Sequence, residues 1–110
     1  MMNTPTHPDL LGHQLQSGDL VAVAFHLGQS NSRLRYGLVL STSFDVSKGS
    51  CPIDIPKCTL LIHHYSDYAQ GERLQVKTLR DSRNRILKLD LHQIPQNIIE
   101  MLIKGQQEHA

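Results

Sequence analysis

Apolar and polar positions alternate with a period of two through most of the chain, and that pattern is the first structural signal. From Leu20 to Leu27, the positions Val21, Val23, Phe25 and Leu27 share one face while Ala22, Ala24 and His26 share the other. This alternation predicts a β-strand. The run Gly28 to Ser32 is rich in turn formers and ends it. Leu34, Tyr36, Leu38 and Leu40 then recur against Arg33, Arg35 and Val39, which predicts a second strand. Residues 41 to 57 are polar and contain Gly49, Pro52 and Pro56. A proline cannot donate into a sheet ladder, so this stretch reads as a long loop. A third strand is expected over 58–65, with Leu60 and Ile62 on one face and Leu61 and His63 on the other.

The next two strands, 73–79 and 86–90, are separated by the tip Arg80 to Arg85 and read as a hairpin. After them the period changes. Pro95 suits a first helical position, where its missing N–H is not needed. Ile94, Ile98, Met101 and Leu102 recur at helical spacing, Ile99 and Ile103 widen the stripe, and Gly105 is expected to end the helix. The fold class that follows is mainly β: a small five-stranded SH3-like barrel with one C-terminal α-helix. The expected organisation is a flexible N-terminal segment over 1–16, one barrel domain with its helix over 17–105, and a frayed tail over 106–110.

Composition changes this picture little, and charge changes it more. The chain has 110 residues, no Trp and five Phe plus Tyr, so its core must be aliphatic. With 11 Lys plus Arg against 10 Asp plus Glu, it is neither a polycation nor an acidic tail. No apolar run is long enough to span a bilayer, and residues 1–8 lack a basic and apolar leader pattern. Those features imply no membrane partner and a cytoplasmic protein, with Cys51 and Cys58 as reduced thiols. The near-neutral total hides an asymmetry. Residues 72–88 carry a net +4, from Arg73, Lys77, Arg80, Arg83, Arg85 and Lys88 against Glu72 and Asp81, while 1–71 sum to −1 and 89–110 to −2.

The segment Gly18-Asp19-Leu20-Val21-Ala22-Val23-Ala24-Phe25, a polar loop, and then Arg35-Tyr36-Gly37-Leu38-Val39-Leu40-Ser41 resembles the opening of the MazF/PemK family. These are toxin-type endoribonucleases of toxin–antitoxin pairs, built on a small SH3-like barrel. The resemblance lies mainly in residues 17–41. Tyr36 stands where the family has proline, and residues 91–104 are similar to the family's closing helix. The resemblance implies a catalytic Arg near the first loop, matched by Arg33 or Arg35. It also implies a hydroxyl closing a later strand, matched by Ser66. His64 occupies the position where the family places a proline before that hydroxyl.

Chemically, RNA cleavage of this kind needs a base for the 2′-hydroxyl and a cation for the charged phosphorane. Arg33 or Arg35 supplies the cation, and His64, His63 or His26 an imidazole, the side chain that changes charge near neutral pH. Adjacent on a strand, His63 and His64 point to opposite faces, so one of them at most joins a given site. The bland alternative is that the arginines are solvated and the histidines structural. Cys51 and Cys58, with six residues between them, do not match the paired spacing of a structural zinc site. No metal or cofactor is expected.

Two function classes follow. One is a non-enzymatic binding module, of the size of a phage or mobile-element accessory protein. It would contact nucleic acid (RNA or DNA) or a protein complex through the basic hairpin Arg73, Lys77, Arg80, Arg83, Arg85 and Lys88. Tyr36, Tyr65 or Tyr68 would stack on bases. The other is the metal-independent endoribonuclease, with Arg33, Arg35, His64 and Ser66 as its site. A second copy joined through the Ile99–Ile103 helix face, giving a homodimer, is a further partner to consider.

Overall fold

A computed structural model describes residues 6–26, 32–46, 48–66 and 71–109. The side chains of Phe25, His26, Ser32, Arg33, Tyr65, Ser66 and Arg83 lie outside that description. The chain runs β1 (His7–Pro8), β2 (Gln14–Leu15), β3 (Leu20–His26), β4 (Ser32–Val46), β5 (Asp54–Ser66), β6 (Gly71–Arg80), β7 (Ile86–Leu89) and α1 (Gln96–Glu108). The fold is mainly β with one C-terminal helix. Strands β3 to β7 form one antiparallel sheet in the order β6-β5-β4-β3-β7, and β1 and β2 pair separately.

Period-two alternation gives the sheet two apolar faces. On the inner face, Val21 and Val23 of β3, Val39 of β4, Cys58, Leu60 and Ile62 of β5, Leu79 of β6 and Ile86 of β7 form one cluster, closed by Leu15 of β2. Both edge strands, β6 and β7, contribute to that cluster, so the sheet is strongly curled. It is nonetheless open, because β6 and β7 do not pair with each other. A register shift between Val39 and Ser41 marks a bulge in β4, the device by which a sheet bends. On the outer face, Leu20, Leu38 and Leu61 pack under Ile94, Ile98, Ile99 and Leu102.

Several expectations are corrected here. The long loop over 41–57 is mostly strand: β4 runs to Val46 and β5 begins at Asp54, paired residue for residue from Ser41–Thr59 to Val46–Asp54. Pro56 is tolerated because it lies beyond the last β5–β6 pair, Lys57–Arg80, and its carbonyl accepts the N–H of Asp81. The basic hairpin does not exist. Strands β6 and β7 sit at opposite edges of the sheet, and the segment between them is a corner containing a 3-10 turn at Arg83–Arg85. Two alternating strands with a short polar link read as a hairpin in sequence, but pairing is decided by which edge each strand's apolar face can reach.

Within the N-terminal segment, His7, Asp9 and Leu15 are fully buried. The helix continues past Gly105 to Glu108. Gly105 is instead a point of close approach: a Cβ there would lie 2.5 Å from Leu74 Cδ1 and 2.6 Å from Leu61 Cδ2. The helix rests on the sheet at that glycine. Ile99 is buried in the outer cluster, whereas Ile103 is exposed.

Candidate nucleic-acid interface

The inner face changes character along its strands. Over most of its width it is apolar, and Gly37 lies there because a Cβ would come within 3.2 Å of the Leu61 carbonyl oxygen. Gly37 pairs with Ile62 of β5 and with Val21 of β3. Two residues beyond that level the side chains become cationic. Arg35 pairs with Val23, which fixes it on the inner face of β4. His64 pairs with Arg73, which puts both on the inner face of β5 and β6, two residues past Ile62 and its partner Gln75. Lys77, opposite Leu60, continues the same face of β6. Inner-face positions 35, 37 and 39 of β4, 58, 60, 62 and 64 of β5, and 73, 75, 77 and 79 of β6 include no acidic residue.

Arg35 and His64 are half-buried, Arg73 and Lys77 are exposed. Arg35 thus stands on the core side of the sheet, where the core ends. His63 and His64 do face opposite ways, as a strand requires. The His63 Nε2 lies 3.2 Å from Glu72 Oε1, and its neighbour across the strands, Leu74, packs against the helix-covered outer cluster.

The other basic residues go elsewhere. Arg80 Nε meets Asp45 Oδ2 at 3.2 Å, and Lys57 Nζ meets Asp45 Oδ1 at 3.2 Å. Lys88 Nζ lies 3.7 Å from Asp19 Oδ2. Arg85 donates from Nε to the Ala24 carbonyl at 3.0 Å. The side chains of Arg83, Arg33 and Ser66 lie outside the described residues, as do that of Tyr65 and the whole of Tyr68. Tyr36 packs against the outer cluster beneath the helix, so it belongs to the core and is no stacking platform on the cationic face.

Cys51 is exposed, Cys58 sits in the inner core, and both thiols are free. Burial pushes the Cys58 thiol up to about 11, so it is neither a ready nucleophile nor a ready ligand. Among the described residues, no group of three or more His, Cys, Asp or Glu side chains is brought together. An open pocket of about 530 Å³ lies between β2 and the bend of β4, lined by Thr6, Leu15, Gln16, Ser17, Leu40, Ser41 and Thr42. It carries hydroxyls and an amide but no charge.

Sequence reasoning missed two polar residues at the other end of the inner face. His7 accepts the Ser82 N–H at Nε2 (3.0 Å), while its Nδ1 lies 2.7 Å from the Pro8 carbonyl oxygen. Asp9 accepts N–H donors from Leu11, His13 and Lys88 at 2.7–3.0 Å. Burial alone would raise the Asp9 carboxyl, but these hydrogen bonds, with the His13 imidazole, hold it below the usual range. The signal was present in Pro8-Asp9-Leu10-Leu11-Gly12, a turn sequence in which the Asp side chain caps following amides. No described helix is long and apolar enough to cross a membrane. Comparison of the chain with protein-family models, with curated proteins and with solved structures finds no match.

Proposed function

We propose that this protein is a small nucleic-acid-binding module of the SH3-like barrel type, reading phosphates through the cationic end of its inner face. The observation that carries the reading is that Arg35 of β4, His64 of β5 and Arg73 and Lys77 of β6 share one face of the sheet, on which positions 35–39 of β4, 58–64 of β5 and 73–79 of β6 hold no acidic residue. Each phosphate met by a guanidinium or ammonium releases counterions and adds a salt-dependent, sequence-independent increment of affinity. The barrel part of the reading draws support from the connectivity: a four-strand meander, a 3-10 turn, and a fifth strand returning to the first. Single-stranded RNA is the preferred partner, because a curled sheet admits a flexible strand more readily than a rigid duplex.

The same observation favours a second reading, an endoribonuclease of the MazF/PemK kind. An imidazole at His64 flanked by guanidinium groups on one face is the set that metal-free RNA cleavage uses. In that chemistry the 2′-oxygen loses its proton and attacks phosphorus, the P–O5′ bond breaks, and the products are a 2′,3′-cyclic phosphate and a 5′-hydroxyl that has gained a proton. Arg35 would stabilise the phosphorane, and Ser66 would complete the site.

One experiment separates the readings. Purified protein is incubated with labelled mixed-sequence RNA and run on native and denaturing gels. Shortened RNA that survives neither Arg35→Ala nor His64→Ala establishes the nuclease. Intact RNA that shifts at low salt and is released at high salt establishes the binding module. Intact, unshifted RNA overturns both and leaves a protein complex as the partner.

A further inference from the structure

The N-terminal hairpin is fastened to the sheet at the seam between β6 and β7. Three backbone N–H donors mark the fastening. Ser82 donates to His7 Nε2 at 3.0 Å, Lys88 donates to Asp9 Oδ2 at 2.9 Å, and Leu10 donates to the Ile86 carbonyl at 2.7 Å. Leu15 then plugs the inner core with no exposed surface. The hairpin thus covers the outer edge of β7 and ties it to the corner that follows β6. An uncovered edge is a template for strand pairing, so this is also the contact that keeps β7 from joining another chain.

One of the three acceptors is an imidazole nitrogen. An imidazole offers a lone pair at Nε2 only while neutral, with its proton on Nδ1 facing the Pro8 carbonyl. Protonation at Nε2 turns that acceptor into a donor aimed at the Ser82 N–H, inside a fully buried site. We infer that the N-terminal hairpin is an acid-released clip, with His7 as the trigger and the β7 edge as what release exposes.

The ionisable groups on the elements packed here do not replace the trigger. Asp81, at the corner after β6, favours the charged imidazole but is outweighed by burial, which holds the His7 pKa below 6.5. Asp9 and His13 belong to the hairpin, and Asp9 is held below the usual carboxylate range. Lys88 on β7 directs its ammonium to Asp19, and the buried Cys58 thiol on β5 stays neutral at these pH values. Because the closed state holds His7 more weakly protonated than the open one, release sets in as pH falls below 6.5. The opening constant rises by up to about tenfold per pH unit and levels off below the closed-state pKa.

The test is amide hydrogen exchange on the full chain between pH 7.5 and 5, corrected for intrinsic rates. Leu10, Ser82 and Lys88 are expected to lose protection as the pH falls, while the helix amides Ile98 and Ile99 keep theirs. In His7→Gln, whose side-chain oxygen accepts without titrating, the pH-dependent loss is expected to vanish. Parallel loss at all five amides, or no excess loss at the clip, overturns the inference. Should His7→Gln fail to fold, an ¹⁵N titration of the His7 imidazole in the unaltered chain decides. Ordinary titration at 6.5 with Ser82 protection unchanged overturns the clip, and a lowered pKa tracking loss of Ser82 protection sustains it.

Discussion

The two ends of the inner face use the same kinds of side chain for opposite purposes. At the seam, His7 and Asp9 are buried and spend their lone pairs on backbone N–H groups of the hairpin and of the segment 82–88. At the other end, His64 pairs with Arg73 on the face that also carries Arg35, where the apolar core stops, and Lys77 lies further along β6 opposite Leu60. A buried polar group must be satisfied from within, so the seam has little left to offer a ligand. The open end keeps charge near solvent, where phosphate can reach it. The difference teaches that residue type alone assigns neither role, and that register does: a residue two steps along a strand moves from core to surface while keeping its face.

The largest expected effect lies at the seam. Asp9→Ala strands three backbone donors, two in the hairpin and one on β7, each of which was bonded to a charged acceptor. Hydrogen bonds to charged groups contribute about 1.5–3 kcal/mol each, and a buried donor left unmet costs a comparable amount. A loss of about 3 kcal/mol or more in unfolding free energy is expected by urea denaturation. If Asp9→Ala unfolds within about 0.5 kcal/mol of the parent, the seam is a surface decoration and the contrast between the two ends fails.

The open end is expected to show the reverse profile. Arg35→Glu combined with Arg73→Glu should leave stability within about 1 kcal/mol, since neither residue is buried in the core. RNA affinity at low salt should fall at least tenfold, and the slope of log affinity against log salt should drop by about one for each phosphate that is no longer neutralised. A filter-binding or anisotropy series over salt concentration checks both. Unchanged affinity with unchanged slope would remove the cationic end as the interface.

Acid separates the ends again. His7, with its folded-state pKa lowered, contributes stability that is complete above 6.5 and is lost as the pH falls through its lower folded value. Asp9, lowered from 3.8, contributes stability present above 3.8 and lost only as the pH falls through a still lower value. Two acid steps in unfolding free energy are therefore expected, the first absent in His7→Gln and the second reduced in Asp9→Asn. A single step shared by both variants would couple the two groups into one.

How much of this was legible in the sequence follows from the same contrast. Strands β3 and β6, the core stretches of β4 and β5, and the helix were readable, because alternation and helical spacing are local consequences of burial on one side. The opposite facing of His63 and His64 was readable for the same reason. The edge that β7 joins was not, because a short polar link between alternating strands is common to hairpins and to corners. Nor was the strand character of 41–46 and 54–57, since Pro56 counts against a strand until its place beyond the end of β6 is known. His7 and Asp9 were hidden by the polar, proline-bearing look of residues 1–9. The turn at Pro8–Gly12 was the available clue. Arg35 was visible as a candidate, but its sharing of one face with His64 and Arg73 depends on a register across three strands that no local pattern contains.

The smallest expected effect locates the boundary between the two ends. Arg85 belongs to the basic stretch 72–88, yet its Nε donates to the Ala24 carbonyl at the corner beside the seam. Reversing Arg83 and Arg85 together to Glu shifts the net charge by four units without touching Arg35, Arg73 or Lys77. If affinity follows the cationic end, RNA binding should weaken by no more than long-range screening allows, a few-fold at low salt and nothing measurable near physiological ionic strength. A weakening that matches the Arg35 and Arg73 reversal, with the same change in salt slope, would extend the interface around the β7 edge. The clip and the interface would then share a surface, and acid release of the hairpin would alter nucleic-acid binding directly.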